Sequence, residues 1–300
     1  MLDWFKRIST PLPTEEPVDT DQLAISTEEK VERLVGRLRA GELAAAKADP
    51  PAAAEERPER QLVSLPEPMN RLPAEPAIRR SDMRVIVVAS QKGGSGKTTI
   101  AAHLAVQARL AGDGPAVLVD TDPQASLGEW WRARSDDGVA LATVRPGDLA
   151  AMRPDGLAAH LAELRRRGFA VAIIDTPPAL TTAIEQIIAV ADLVLIPARP
   201  SPHDLRAAGA TVDMARRAGK PFIFIVNGAA QRANITVQAV AALSEHGPVA
   251  PVILHQRTEY AASMIDGRTV TEAAPSGRSA REIAELWKHI HSRIAMRAAA

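Results

Sequence analysis

Residues 90–99 read SQKGGSGKTT, with two lysines, Lys92 and Lys97, enclosing Gly93, Gly94, Ser95 and Gly96. Glycines let backbone N–H groups close around an anion. A lysine followed by hydroxyl residues, here Thr98 and Thr99, suits a nucleotide: the ammonium reaches the β- and γ-phosphates and the Thr98 hydroxyl coordinates Mg²⁺. The run follows VIVVA (85–89) and precedes a stretch of helical character from Thr98 to Ala111. The loop would therefore open a helix whose N-terminus adds a positive dipole end. The pattern G-x-x-x-x-G-K-[ST] is met only in its second half, because Gln91 stands where the first glycine belongs. The dinucleotide pattern G-x-G-x-x-G fails at Thr99. One lysine is enough for a phosphate, so Lys92 needs its own explanation.

Acids follow where a magnesium–nucleotide site needs them. In VLVDTDPQASLGEWW (117–131), Asp120 and Asp122 lie two apart, so an extended backbone puts them on one side. In AVAIIDTPP (170–178) an apolar run delivers Asp175 to a strand end, from which it acts on Mg²⁺ through water. FIFIVNGAAQR (222–232) ends a strand at Asn227, whose amide offers a donor and an acceptor, although an asparagine there also serves as a turn former. Trp130 and Trp131 read first as packing residues and second as interface residues.

The elements that must hold these residues are short apolar runs, several of them rich in Val and Ile: VIVVA (85–89), AVLV (116–119), AVAII (170–174), LVLI (193–196), FIFIV (222–226) and VIL (252–254). Helical stretches such as Gly156 to Arg167 and His203 to Ala218 lie between most of them. Such alternation predicts an α/β fold with a mostly parallel, twisted sheet and helices on both faces, over residues 81–300. Ligands in such sheets sit at the carboxyl ends of the strands.

Residues 1–80 differ. They hold ten of the 23 prolines, with 12 basic and 15 acidic residues, a net of −3. Such a composition buries too little apolar surface to offset chain entropy, and it predicts a largely disordered N-terminal extension. One helix is expected near 27–46, where Ser26 and Glu29 fit a capping box and Val31, Leu34, Val35 and Leu38 share a face. It reads as a fraying helix in a linker or as a docking helix. Met1–Ser9 reads as a docking peptide, a weak membrane contact or an inert terminus. With 36 basic and 36 acidic residues, global charge names no partner. Aromatics at 3 % argue against a base-stacking platform. The absence of cysteine rules out disulfides, thiolate metal sites and cysteine-ligated clusters. No secretory signal or membrane-spanning run is evident, and a cytoplasmic setting is expected.

QKGGSGKTT resembles the deviant Walker A motif of the ParA/MinD family of P-loop ATPases, and the likeness extends over about residues 83–292. Lys92 then corresponds to the signature lysine, which in the ATP-bound dimer crosses to the partner subunit's phosphates. The bottom-up alternative is a lysine that meets only its own phosphates or solvent. DTDPQ resembles the segment in which Asp122 orients the attacking water and Asp120 helps hold the metal's water shell or the catalytic lysines. AVAIIDTPP resembles Walker B, and Asn227 the adenine-reading residue. LIPARPSPHDL (193–205 region) resembles the loop that closes over the nucleotide, and G-R-T-V-x-E belongs to the family's C-terminal outline.

The resemblance implies a cycle. ATP and Mg²⁺ drive homodimerisation, and the dimer binds double-stranded DNA nonspecifically, with nucleoid association. A ParB-like or cargo-adaptor protein then stimulates hydrolysis, so that a plasmid, chromosome or large assembly is partitioned or positioned. Local basic excesses in 199–234 and 257–297 nominate Arg217, Lys220, Arg232, Arg257, Arg268 and Lys288 as DNA contacts. The alternatives are a MinD-like membrane-recruited positioning ATPase and a small-molecule phosphotransferase. Residues 286–300 lack a bulky apolar terminal stripe, so no stable membrane association is expected.

Overall fold

The computed structural model describes residues 83–135, 138–143, 156–178, 182–231 and 233–298. The expected extension over 1–80, with its helix near 27–46, lies outside the described residues. β1 (Arg84–Val88) leads into α1 (Lys97–Leu110), then β2 (Ala116–Asp120), α2 (Ser126–Ala133), β3 (Ala140–Thr143), α3 (Gly156–Arg166) and β4 (Val171–Asp175). α4 (Thr182–Ala189), β5 (Leu193–Ala198), α5 (Pro202–Arg217), β6 (Phe222–Ala229) and α6 (Asn234–Ser244) follow. The chain continues through β7 (Leu254–His255), α7 (Thr258–Met264), α8 (Val270–Ala273) and α9 (Arg278–Ala298).

Among the described residues the seven strands form one sheet in the order β3-β2-β4-β1-β5-β6-β7, and every pairing is parallel. Side chains alternate across it. Ile86, Val88, Leu118, Ile173, Leu195 and Ile225 pack on one face with residues of α1, α2 and α9. Val85, Val87, Val119, Ile174, Ile196 and Phe224 pack on the other with residues of α3, α4, α5 and α6. Because both faces are covered, the strands read as unbroken apolar runs.

β1 lies between β4 and β5, so the chain crosses from one side of β1 to the other after β4. That is a topological switch point, and the glycine-rich loop leaves β1 there. The strand ends are level: Val88 is in register with Asp175, and Asp175 with Asp120. β3 is not evident from the sequence. It is a four-residue edge strand, ALAT, without the bulky β-branched signal of its neighbours. The expected VIL strand contributes only Leu254 and His255, joined to β6 across a register shift between Asn227 and Ala229.

Candidate functional site

The glycine-rich loop is shaped by backbone before side chains. Gly94 and Gly96 have φ of 73° and 94°, a left-handed conformation that favours glycine. Gly96 is the N-cap of α1. Among the described residues no side chain caps that helix, and its first turn carries no acid. The first N–H groups of α1 are therefore available to an anion. A methyl group at Gly93 or Gly94 would meet nothing within 4 Å, so the loop faces open space. At Gly96 it would lie 2.2 Å from the Asn227 side-chain nitrogen.

Lys97 is buried, and its Nζ lies 3.4 Å from the carbonyl oxygen of Lys92. Burial pulls its pKa down, while Asp175 and Asp122 push it up. Lys92 is exposed, and its side chain has no hydrogen bond or ion pair among the described residues. The two lysines occupy different environments: one is held inside the loop and the other is free at its rim. Ser95 is buried, with its hydroxyl unpaired, and Thr99 is half-buried in the first turn of α1.

Thr98 Oγ1 donates to Asp175 Oδ2 at 2.6 Å. Asp175 is 1 % exposed and its Oδ1 has no partner. Burial, with Asp120 and Asp122 nearby, raises its carboxyl to about 7, against the lowering effects of Thr98 and Lys97. A buried carboxylate oxygen without a donor, beside a threonine hydroxyl, fits a magnesium ion. Mg²⁺ takes one or two protein oxygens and fills its remaining positions with water and phosphate. Among the described residues there is no cluster of three or more acidic, His or Cys side chains to hold a metal by themselves.

Asp120 is buried and already occupied. Its Oδ1 accepts from Asp122 N at 3.0 Å and its Oδ2 from Gly128 N at 3.0 Å. Burial raises its pKa, and those two N–H groups oppose the rise. The visible work of Asp120 is thus to fold the Asp122 turn against α2. Asp122 is half-buried, and its Oδ1 accepts from Gln124 N at 2.9 Å. Asn227 donates from Nδ2 to the Ser95 carbonyl at 2.7 Å, which braces the loop from behind.

Thr121 and His103, for which the sequence reading had no signal, complete this frame together with Thr176 of the DTPP turn. Thr121 donates to the Asp175 carbonyl at 2.6 Å and Thr176 to the Val88 carbonyl at 2.9 Å, which stitches the ends of β1, β2 and β4 together. His103, fully buried one turn beyond Thr99, faces the Thr99 carbonyl through Nδ1 at 2.8 Å. A carbonyl only accepts, so Nδ1 carries the proton, and Nε2 accepts from Val270 N at 3.2 Å. Trp130 and Trp131 pack, as their first reading had it. Each is 5 % exposed, with its indole N–H on a backbone carbonyl, of Arg268 and Val139 respectively.

The described residues among those nominated for DNA are spread over several elements. Arg217 ends α5 and Lys220 precedes β6, near the amino ends of the strands, and Arg217 pairs with Glu185 at 2.9 Å. Arg257 is 14 % exposed and holds Glu282 at 2.7 Å, so its charge is spent inside the fold. Arg268 is exposed and pairs with Asp266, Lys288 is exposed on α9, and Arg232 lies outside the described residues.

The CobQ/CobB/MinD/ParA nucleotide binding domain matches residues 86–153. A protein of Halothiobacillus neapolitanus, "Maintenance of carboxysome distribution protein A", is 30 % identical over 204 residues, 66 % of this chain and 91 % of its own length. The chain belongs to the ParA/MinD family. Members of this family are P-loop ATPases, and a second relative is the "Chromosome-partitioning ATPase Soj" of Thermus thermophilus, 28 % identical over 72 % of this chain and 98 % of its own. The fold is shared with the ATP complex of McdA from Cyanothece, at a TM-score of 0.60 and 21 % identity, covering 70 % of this chain and 97 % of that one.

Proposed function

We propose that the protein is an ATP-hydrolysing positioning switch. ATP makes it a homodimer, the dimer binds double-stranded DNA nonspecifically, and a cargo-bound partner protein stimulates hydrolysis and release. The observation that carries this reading is the division between the two lysines. Lys97 lies inside its own loop, whereas Lys92 is exposed and unpaired among the described residues, so it is free to meet the nucleotide of a second subunit. A cation beside the transferring phosphoryl group stabilises charge there, and one supplied in trans makes turnover depend on dimerisation.

In this reading the backbone N–H groups of Gly93–Thr99 and the Lys97 ammonium bind the phosphates. Thr98 and Asp175 hold magnesium, with Asp120 ordering the nearby turn. When bound, Mg²⁺ neutralises phosphate charge. Asp122 orients the attacking water. Asn227, behind the loop, turns its remaining amide capacity towards the base. Exposed cations such as Arg268 and Lys288 contribute to DNA attraction, whereas Arg257 does not. The relatives' names support a cargo that is either a chromosome or a large protein assembly.

Association with the nucleoid follows from the DNA step. The apolar face of α9 is turned into the fold and is not offered to a membrane. Ile283, Leu286, Trp287, Ile290 and Ile294 of α9 are buried in the core, and no described helix is long and apolar enough to cross a bilayer.

The test measures molecular size and random-sequence duplex binding with and without Mg–ATP, in Asp122→Ala protein and in the same protein with Lys92→Ala. An ATP-dependent dimer that shifts DNA, lost with Lys92, is the expected outcome. A monomer indifferent to DNA would overturn the cycle.

A further inference from the structure

The segment after β2 and the segment before α9 meet in a way the nucleotide site alone does not require. Arg134, immediately after α2, is 3 % exposed. Its Nη1 donates to the Gly267 carbonyl at 2.7 Å, and its two terminal nitrogens reach Glu272 at 3.2 and 2.7 Å. Trp130 donates to the Arg268 carbonyl at 3.2 Å, and the guanidinium lies 4.9 Å from the Trp130 ring centre. Gly267 has φ of 77°, and a methyl group there would sit 2.3 Å from Arg134 N. The end of α2 is therefore clamped on the turn Gly267–Glu272, with no room for a side chain between them.

Glu272 is itself fixed, since it accepts from Thr269 N at 2.8 Å in the capping box of α8. The same short helix is tied to the glycine-rich loop, because Val270 N donates to His103, which holds the Thr99 carbonyl. At its other end α2 is joined to the Asp122 turn: Gly128 N and Asp122 N share the Asp120 carboxylate, and Ala125 N donates to the Asp122 carbonyl at 2.9 Å. α2 has eight residues, about 12 Å of rigid rod. Both arms of the nucleotide site are thus referenced to one clasp.

We propose that Arg134 is a positioning residue for ATP hydrolysis: by clamping α2 to Gly267 and Glu272 it sets the place of Asp122 relative to the glycine-rich loop. A buried, bidentate ion pair is poor evidence for stability as such, since apolar replacements often serve as well, but it fixes direction and register. Nucleotide binding relies on α1, Thr98 and Asp175, none of which Arg134 touches. Loosening the clamp therefore affects the chemical step and leaves the ground-state complex intact.

This rests on the ATPase reading, and the experiment separates the two. Arg134→Met, Arg134→Lys and Trp130→Phe are made in the full chain. Measured are kcat and KM for ATP, binding of a fluorescent ATP analogue, melting temperature, and hydrogen exchange at the Asp122 and Gly128 amides. In Arg134→Met, kcat is expected to fall by about 10- to 100-fold, as for a misplaced catalytic group, with KM and analogue binding within about twofold. Lys partly restores kcat, and exchange at Asp122 and Gly128 quickens while Ile100 N is unchanged. Trp130→Phe, which keeps the ion pair, gives a smaller effect of the same pattern and carries the test if Arg134→Met does not fold. An unchanged kcat, or losses of kcat, analogue binding and melting temperature in proportion, would overturn the proposal. Wild-type protein that binds ATP without turnover would sink the ATPase reading, and the exchange measurement alone would then decide the clamp.

Discussion

His103 gives a pH dependence whose sign and size follow from its surroundings. Burial lowers its pKa to about 4, against the smaller raising effects of the Thr99 carbonyl and Glu272. Its neighbours are Thr99 on its own helix, the Val270 N–H and Glu272 of α8, and the Tyr260 ring of α7, 5.3 Å away. A second ring proton would face the Val270 N–H, which is also a donor. The unfolded chain takes up a proton near the ordinary value of 6.5 and the folded chain does so only near 4. The unfolded state thus binds more protons in that window, and stability falls as pH drops from 6.5 towards 4.

For those two values the loss between pH 7 and pH 5 is about 2 kcal/mol. In a domain of this size that corresponds to roughly 4–8 °C in Tm. Burial pushes Glu272 up, but bonds from Arg134 and Thr269 more than offset it and hold the acid low. Its contribution is therefore lost mainly below its ordinary 4.5, outside the pH 7 to 5 range of the assay. The assay is urea unfolding at pH 7, 6 and 5 for wild type and His103→Gln. His160 and His289 titrate in both proteins and cancel. The wild type should lose about 2 kcal/mol more than the variant over this range. Parallel curves would refute the buried neutral imidazole.

Three further outcomes follow. Asp175 has its carboxyl raised from 3.8 to about 7, so its stabilising neutral form is lost as pH rises through 7. Without nucleotide or Mg²⁺, Asp175→Asn should therefore gain about 1–3 kcal/mol at pH 8, after the cost of an imperfectly paired amide, while losing Mg–ATP-dependent stabilisation; a less stable variant in urea would contradict this. Gly267→Ala must place a methyl group 2.3 Å from Arg134 N at positive φ, and should cost at least about 3 kcal/mol in chemical denaturation. Trp287→Phe breaks the 2.7 Å bond to Asp113 Oδ2 and should cost about 1.5–3 kcal/mol, read as a lower urea midpoint at unchanged m-value.

The sheet and the glycine-rich loop were legible because their signals are local: unbroken Val/Ile runs, and a glycine–lysine pattern straight after one of them. Most strand bounds fall within a residue or two of the expected ones, with β5 and β6 running two and three residues further. ALAT at β3 carried too little β-branched bulk to stand out, and pairing on a single edge supplied what its residues did not. The clasp was invisible for another reason. Arg134 and Glu272 are 138 residues apart, and an arginine after a helix looks the same whether it ends in water or in a buried fork. Arg257 shows the converse failure. A count of basic residues treats every guanidinium as surface charge, and this one is turned inward onto Glu282.

The two faces of the sheet differ in when the chain can complete them. The face beneath α3, α4, α5 and α6 draws on residues no later than Ile253. The other face needs Ile283, Leu286, Trp287, Ile290 and Ile294 laid against Ile86, Val88 and α1, the oldest part of the domain as it emerges from the ribosome. During synthesis the nascent sheet therefore carries one finished face and one bare apolar face, and the glycine-rich loop lies on a helix whose packing is incomplete until α9 arrives. Nucleotide binding should thus switch on late, after translation has passed residue 294, and a nascent chain stalled before that point presents an apolar surface to chaperones rather than a working site.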